Sequence, residues 1–397
     1  MLPFVELGES GRDFLCDAIV SEITLALSQM REFFVIARQS SFAYKDRCVD
    51  AREAGAALGA RYILDGVLQR SGRQLRLNIQ LVDTSIGTVT MAQSFESDED
   101  DILHMQVKIA QQVAGVILPS VRRQEIAAIQ RMAPQELNAY GLVLSAFPKF
   151  WAHERDENLE AIRLFSDAIN REPNFALAHG LKAWCHAQNT CYIWTDDPVA
   201  ERAVALDHAR TAAACRENDA TALTAIGATY SMVTNDRTLA RHFIDRSLAI
   251  DPCNAWAWMR DGWLRVLGND PRTALDSFRK SEELSPLDPF LFNVYFGQAL
   301  AWSLLGEVER AIELVCRGLK HGPAVNWAYR MLASFYAQAE DRDGMLRSLT
   351  RFREHYPGVT IAQLTASLPP IMVESNPSYM DMLRRAGIPE GRGPVGS

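Results

Sequence analysis

Hydrophobic and polar positions change their period along the chain. Up to about residue 118, strand-length apolar runs are interleaved with helical spacing. Leu2 to Leu7 reads as a strand, residues 11–29 place Phe14, Ile19, Ile23 and Leu27 on one helical face, and Phe33 to Ala37 is a second strand-length run. Residues 50–59 predict a helix with Asp50 as its cap and Gly59 as its stop, because glycine ends a helix in the left-handed conformation at little cost. Three strands follow over 61–70, 73–83 and 87–95, joined by short turn sequences and so antiparallel. In the middle one, Leu75, Leu77, Ile79 and Leu81 alternate with Arg76, Asn78 and Gln80, the pattern of one buried and one wet face. A helix over about 101–117 closes the unit, and the order β-α-β-α-β-β-β-α predicts an α/β domain with a mixed sheet.

The segments LPFVELG, FLCDAIVSEITLALSQ, FFVIARQSSFAYK and AREAGAALGARYILDGVLQRSGRQLRLNIQLVDTSIGTV resemble the TolB amino-terminal-like domain over nearly all of residues 1–118. In that family the module follows a class III adenylate/guanylate cyclase domain or a winged-helix DNA-binding domain and precedes tetratricopeptide repeats. The resemblance therefore implies a regulatory region linked to cyclic-nucleotide signalling in a bacterium. The strand that is already under way at Leu2 leads to the expectation that another segment normally precedes it.

After about residue 133 the pattern is helical only, and it repeats. Ala161, Ala240, Ala274, Ala311 and Met345 each precede a proline (Pro173, Pro252, Pro286, Pro323, Pro357) by 12 residues. Each interval reads as a second helix whose small residue packs on the preceding helix, ended by a proline that cannot continue it. The last four prolines are 34, 37 and 34 residues apart, the tetratricopeptide period. Trp258, Gly262, Ala274 and Phe278 take that motif's aromatic and small places; Tyr230 and Tyr336 fill the first-helix aromatic position in other units, whereas Arg265 stands there in its own. Between Pro173 and Pro252, Ala205, Ala209 and Ala212 mark a further second helix, Glu217 stands where proline would be, and residues 190–200 read as a loop. The expected organisation is an α/β domain over 1–118, a linker helix over 119–133, about six repeats of an all-α superhelix over 134–358, capping helices over 359–390 and a disordered tail over 391–397. The segment YMDMLRRAGIPE resembles the end of cyclase-associated chains of this architecture.

With 41 Lys and Arg against 49 Asp and Glu, the net charge of −8 argues against a nucleic-acid binder, which needs a basic stripe. The seven cysteines are odd in number and irregularly spaced, which suits reduced thiols and a cytoplasmic location. No apolar run is long enough to span a membrane, and the first residues lack the basic and apolar regions of a secretory signal.

Candidate chemistry is sparse. His179, Cys185, His186 and Cys191 invite a metal, but their spacing lacks the cysteine pairs of zinc sites and suits buried packing. The acidic run Glu96, Asp98, Glu99, Asp100 and Asp101 stands before a helix, where carboxylates cap N–H groups. Adjacent carboxylates at Asp196–Asp197 and Glu282–Glu283 diverge on a helix. Ser40, Ser41, Cys16 and Cys48 have no activating neighbour in sequence, and no phosphate-binding glycine loop or cyclase aspartate pair is found. The expectation is a protein without cofactor, metal or catalytic residues. The competing expectations are an adenylate/guanylate cyclase, or a transcription-regulator fragment whose effector domain is supplied elsewhere.

Surface shape remains. In such arrays the first helices line a concave groove, which places Trp256, Met259 and Trp263, then Leu291, Val294 and Gln298, then Trp327, Arg330 and Ser334 along it, with Trp184 and Trp302 joining them. The indoles suit capture of an apolar segment from a partner protein or peptide, a cyclase or winged-helix effector domain among the candidates. They suit sealing of neighbouring repeats equally well.

Overall fold

The computed structural model describes residues 1–391 apart from 8–12, 30–34, 37–39, 42–43, 45–49, 72–73, 99–101, 130–131, 133–135, 216–218 and 287. It contains two compact units, residues 1–127 and 128–397.

The first unit is built on a four-stranded sheet of order β1-β2-β3-β4: β1 (Val5–Leu7), β2 (Tyr62–Ser71), β3 (Gln74–Asp83) and β4 (Thr88–Asp98). β1 runs parallel to β2, with Val5 opposite Val67, and the other neighbours are antiparallel. The sheet is therefore mixed. The strand expected at Phe33 to Ala37 lies largely outside the described residues, and the described positions 35 and 36 are in no element. Leu75, Leu77, Ile79 and Leu81 are buried on one face of β3, as their alternation requires. Helix α1 (Asp13–Gln29) buries Ile19, Ile23 and Leu27; α2 (Ala51–Leu58) is capped by Asp50, which accepts from the Arg52 N–H, and stops at Gly59, whose φ is 64°. The closing helix α3 (Ile102–Ile129) differs from expectation: it runs through Pro119 without the break placed at 118. Proline removes one N–H, and contacts beyond it hold the helix together. Tyr62 donates to Glu125 Oε1 at 2.8 Å and Arg61 Nη1 pairs with the same oxygen at 2.7 Å.

The second unit is an array of antiparallel helix pairs, tetratricopeptide-like in pattern. The pairs are α4 (Ala139–Ala152) with α5 (Arg155–Arg171), α6 (Ala176–Cys191) with α7 (Pro198–Ala214), and α8 (Ala220–Val233) with α9 (Arg237–Ile250). They continue with α10 (Ala255–Leu267) and α11 (Pro271–Leu284), α12 (Leu291–Leu304) and α13 (Val308–His321), and α14 (Ala328–Gln338) and α15 (Arg342–His355). Short helices α16 (Ile361–Ser367), α17 (Pro370–Ser375) and α18 (Pro377–Arg385) follow. Starts are set by side-chain caps: Asn138, Asp197, Asp219, Asp236, Asn254 and Asp341 each accept from an N–H of the first turn. The spaced prolines set the stops. α5, α9, α11, α13 and α15 all end two residues before theirs, since the residue preceding proline is pushed out of helical conformation.

Ala161, Ala240, Ala274 and Ala311 are wholly buried at the helix crossings. In the last pair the small residue is Gly344, buried next to the half-buried Met345. Arg265, at the deviant aromatic position, pairs with Asp261 at 2.6 Å, replacing ring packing by an ion pair. Ala205, Ala209 and Ala212 are buried in α7, and the long second unit opens into a loop only over 192–197 because α6 extends to Cys191. Glu217 and the tail beyond 391 lie outside the described residues. Among the described residues no helix is long and apolar enough to cross a membrane.

Candidate functional site

The first helices of the array are coated on both sides. Their outer sides meet the second helices, and their inner sides converge on one aromatic interior. At the end of α4, Phe150 meets Trp256 edge to face at 5.9 Å and Phe290 at 5.3 Å between ring centroids. His153, held in left-handed conformation (φ 56°), follows it inward, meets Phe292 at 5.3 Å and accepts a hydrogen bond from Trp327 Nε1 at 2.9 Å. Tyr192, from the loop after α6, stacks on Trp327 at 5.2 Å. The first two pairs thus reach the fourth, fifth and sixth, and the array curls around its own rings. Burial brings His153 down to about 3, so this imidazole is neutral at ordinary pH.

The remaining space is taken by the chain's own end. Helix α18 packs on α14, and α17 packs on α8 and α10. Polar contacts fasten the crossing: Asn376 Nδ2 donates to the Leu267 carbonyl at 2.9 Å, Arg202 Nη2 donates to the Leu368 carbonyl at 3.1 Å, and Asn235 bonds Glu374. The Tyr379 side chain, 2% exposed, lies beside Arg330. The residues expected to cap the array therefore lie along its inner face.

A cavity of about 50 Å³ survives between α10, α12, α14 and this segment. Of the residues expected in a groove, Trp263, Trp327 and Arg330 line it. Trp184 and Trp256 stand together nearby, 6.2 Å apart edge to face, each with an indole N–H that has no partner among the described residues. Met259, Leu291, Val294 and Ser334 are buried in helix packing. Trp302 stands apart, its ring under Arg310 of α13 at 3.8 Å, while Gln298 reaches Glu282 at 3.5 Å. Most of these residues are buried, while Trp256, Gln298 and Trp302 are half-buried.

The sequence reading missed Arg260, Tyr192, His153 and the inward side of the carboxy-terminal segment. The one available signal was the pair Arg260–Asp261 inside the otherwise apolar AWAWMRDGWLRVL, since two charges on the packed side of a helix demand partners. Asp261 finds three: Arg241, Arg265 and the Ser277 hydroxyl. Arg260 lies over the Trp184 ring at 4.6 Å and donates to Ser231 Oγ at 3.0 Å, and burial pulls its guanidinium down to about 10.

The other candidates resolve into packing. His179 Nδ1 lies 3.0 Å from His208 Nδ1, His186 Nδ1 lies 2.8 Å from Glu201, and burial carries His208 down to about 4. Cys185 and Cys191 are buried thiols pushed upward, Cys191 to about 12. Among the described residues no three His, Cys, Asp or Glu side chains are placed to hold a metal. Asp197 caps α7, and Glu96 pairs with Arg76 across the sheet at 2.6 Å. Glu99, Asp100, Asp101 and Cys48 lie outside the described residues.

No family model matches the chain. Over 180 residues it is 27% identical to "Putative adenylate cyclase 3" of Rhizobium meliloti (strain 1021), a match covering 45% of this chain and 31% of that protein. The chain thus spans less than a third of that relative's length. Among solved structures, the Cut9–Hcn1 hetero-tetramer of the APC/C is similar at 16% identity and a TM-score of 0.44, over 72% of this chain and 49% of that one. Pseudomonas aeruginosa PilF is similar at 17% identity and 0.37, over 57% and 95% of the two chains. A tetratricopeptide repeat protein from Parabacteroides merdae ATCC 43184 is similar at 14% and 0.35, over 62% and 98%.

Proposed function

We propose that the chain is a non-catalytic regulatory interaction protein in a cytoplasmic signalling context linked to adenylate cyclase. A TolB-like amino-terminal module would precede a helix-pair array that grips a partner segment, with a cyclase effector domain as its source. The observation that carries this reading is the seating of α17 and α18 on the first helices α8, α10 and α14. An inner face that accepts an amphipathic helical segment of its own chain, with the buried Tyr379 beside Arg330, has the chemistry to accept a similar segment from a partner. The residues Trp184, Trp256, Met259, Trp263, Leu291, Val294, Trp302, Trp327 and Arg330 are then the surroundings of that seat. The stretch of similarity to a cyclase-named protein supports the signalling link.

Two measurements on the purified full chain test this. Incubation with ATP and Mn²⁺ should yield no cyclic AMP; formation of the cyclic nucleotide would overturn the non-catalytic reading. A labelled peptide of residues 366–390 should bind a Tyr379→Ala chain more tightly than the unaltered one, because the substitution loosens the intramolecular competitor. Absence of peptide binding to either chain, with both folded, would remove the gripping role.

A further inference from the structure

The interior cavity carries more positive charge than the chain around it accounts for. Arg260 is 2% exposed and Arg330 4% exposed, and both line it. Among the described residues, Arg260 Nε has no partner, and neither do Arg330 Nε and Nη1. No ion pair reaches either guanidinium from the described residues. The nearest buried carboxylate in sequence, Asp261, is engaged by Arg241 and Arg265. Both guanidiniums lie close enough to Cys191 and Tyr192 to bias the ionisation of each, so their charges act on one region. Water could take the free N–H groups, but it would leave two buried cations without a counter-charge. The other walls include Met232, Trp263, Leu300 and Met331, which favour an apolar body, and Asn293 adds a polar edge.

We propose that this cavity of about 50 Å³ binds a carboxylate of acetate size, its oxygens taking the free N–H groups of Arg260 and Arg330 and its methyl group lying against Trp263 and Met331. A planar carboxylate matches the guanidinium fork, and its charge offsets the buried cations. Because Met372 and Tyr379 form a further wall, an occupant would also hold the carboxy-terminal segment in place. This binding does not depend on the array gripping a partner.

The test is isothermal titration calorimetry and thermal denaturation of the full chain with formate, acetate, inorganic phosphate and the neutral analogue acetamide. Saturable binding of acetate or formate with a raised Tm, and none of acetamide, is the expected result. Arg330→Met should weaken carboxylate binding about 10- to 100-fold, the loss of a charge-assisted hydrogen bond. The same variant should keep or raise the Tm without ligand, because an unpaired buried charge is gone. No response to either carboxylate at millimolar concentration, equal binding of acetamide, or full binding by both Arg260→Met and Arg330→Met would overturn the proposal. A response to phosphate alone would overturn the carboxylate assignment. Should the variants fail to fold, acetate against acetamide on the unaltered chain decides.

Discussion

The first and second helices of the array are of similar length, yet they live in different surroundings. Fourteen of the sixteen residues of α6 and twelve of the fourteen of α8 are buried. By contrast, five of fourteen are buried in α11 and four of fourteen in α13. A helix lying on a layer buries one stripe, which is what α11 does with Ala274, Ser277, Phe278, Ser281 and Leu284. A helix apolar all round is covered all round. The first helices are thus the middle layer of three, with second helices outside and rings, His153 and the carboxy-terminal segment inside. The lesson is that an inner face rich in tryptophan need not be an open groove. Here it is a second core.

That contrast can be broken most severely where the two layers meet. Phe278 of α11 is wholly buried against Gly262 and Trp263 of α10 and Gly297 of α12, and Phe278→Ala should cost about 3–5 kcal/mol in urea denaturation. A loss below about 1 kcal/mol would mean that the layers are not close-packed there.

The inner core is tested by acid. His153 is neutral in the folded chain with its value brought to about 3, against 6.5 unfolded. Between those values the unfolded chain binds the extra proton, so stability is full above pH 6.5 and falls as pH drops toward 3, by about 1.4 kcal/mol per unit. His153→Asn, which does not titrate, tolerates the left-handed backbone and can still accept from Trp327, should flatten that slope by one proton. An unchanged slope would place His153 in water.

Gly262→Ala sharpens the same boundary from the other side. A Cβ there would stand 2.7 Å from the Phe278 ring, and overpacking should cost about 1–3 kcal/mol. The smallest effect belongs to the wet side of a second helix. Arg163 of α5 pairs with Glu160 and Asp167 at 2.7 and 2.8 Å on the surface, and Arg163→Ala should change stability by no more than about 0.5 kcal/mol. A larger loss would mean that this face is covered as well.

Much of the architecture was legible because its signals are local. Alternation in β3, the Asp50 cap and Gly59 stop of α2, and the 12-residue interval before each proline act within a few residues of where they are read. Where the local signal ran out, so did the reading. The local pattern ends the closing helix near 117 and begins a linker helix at 119, whereas α3 is continuous to Ile129, with Glu125 held by Tyr62 and Arg61, residues more than sixty positions away in the chain. The site was half legible: an aromatic inner face was evident, but its occupancy was not, because periodicity reports which sides of a helix are apolar and not what covers them.

The sequence by itself determined the mixed α/β unit, the succession of helix pairs and the places where helices start and stop, since caps, prolines and hydrophobic period operate at short range. Only the tertiary structure decided that the array curls until Phe150 and His153 meet its fourth to sixth pairs, that Tyr379 folds back beside Arg330, and that Arg260 and Arg330 share a cavity with no counter-charge among the described residues. Those outcomes depend on small rotations accumulated over many repeats, so residues far apart in the chain become neighbours that no short-range pattern encodes.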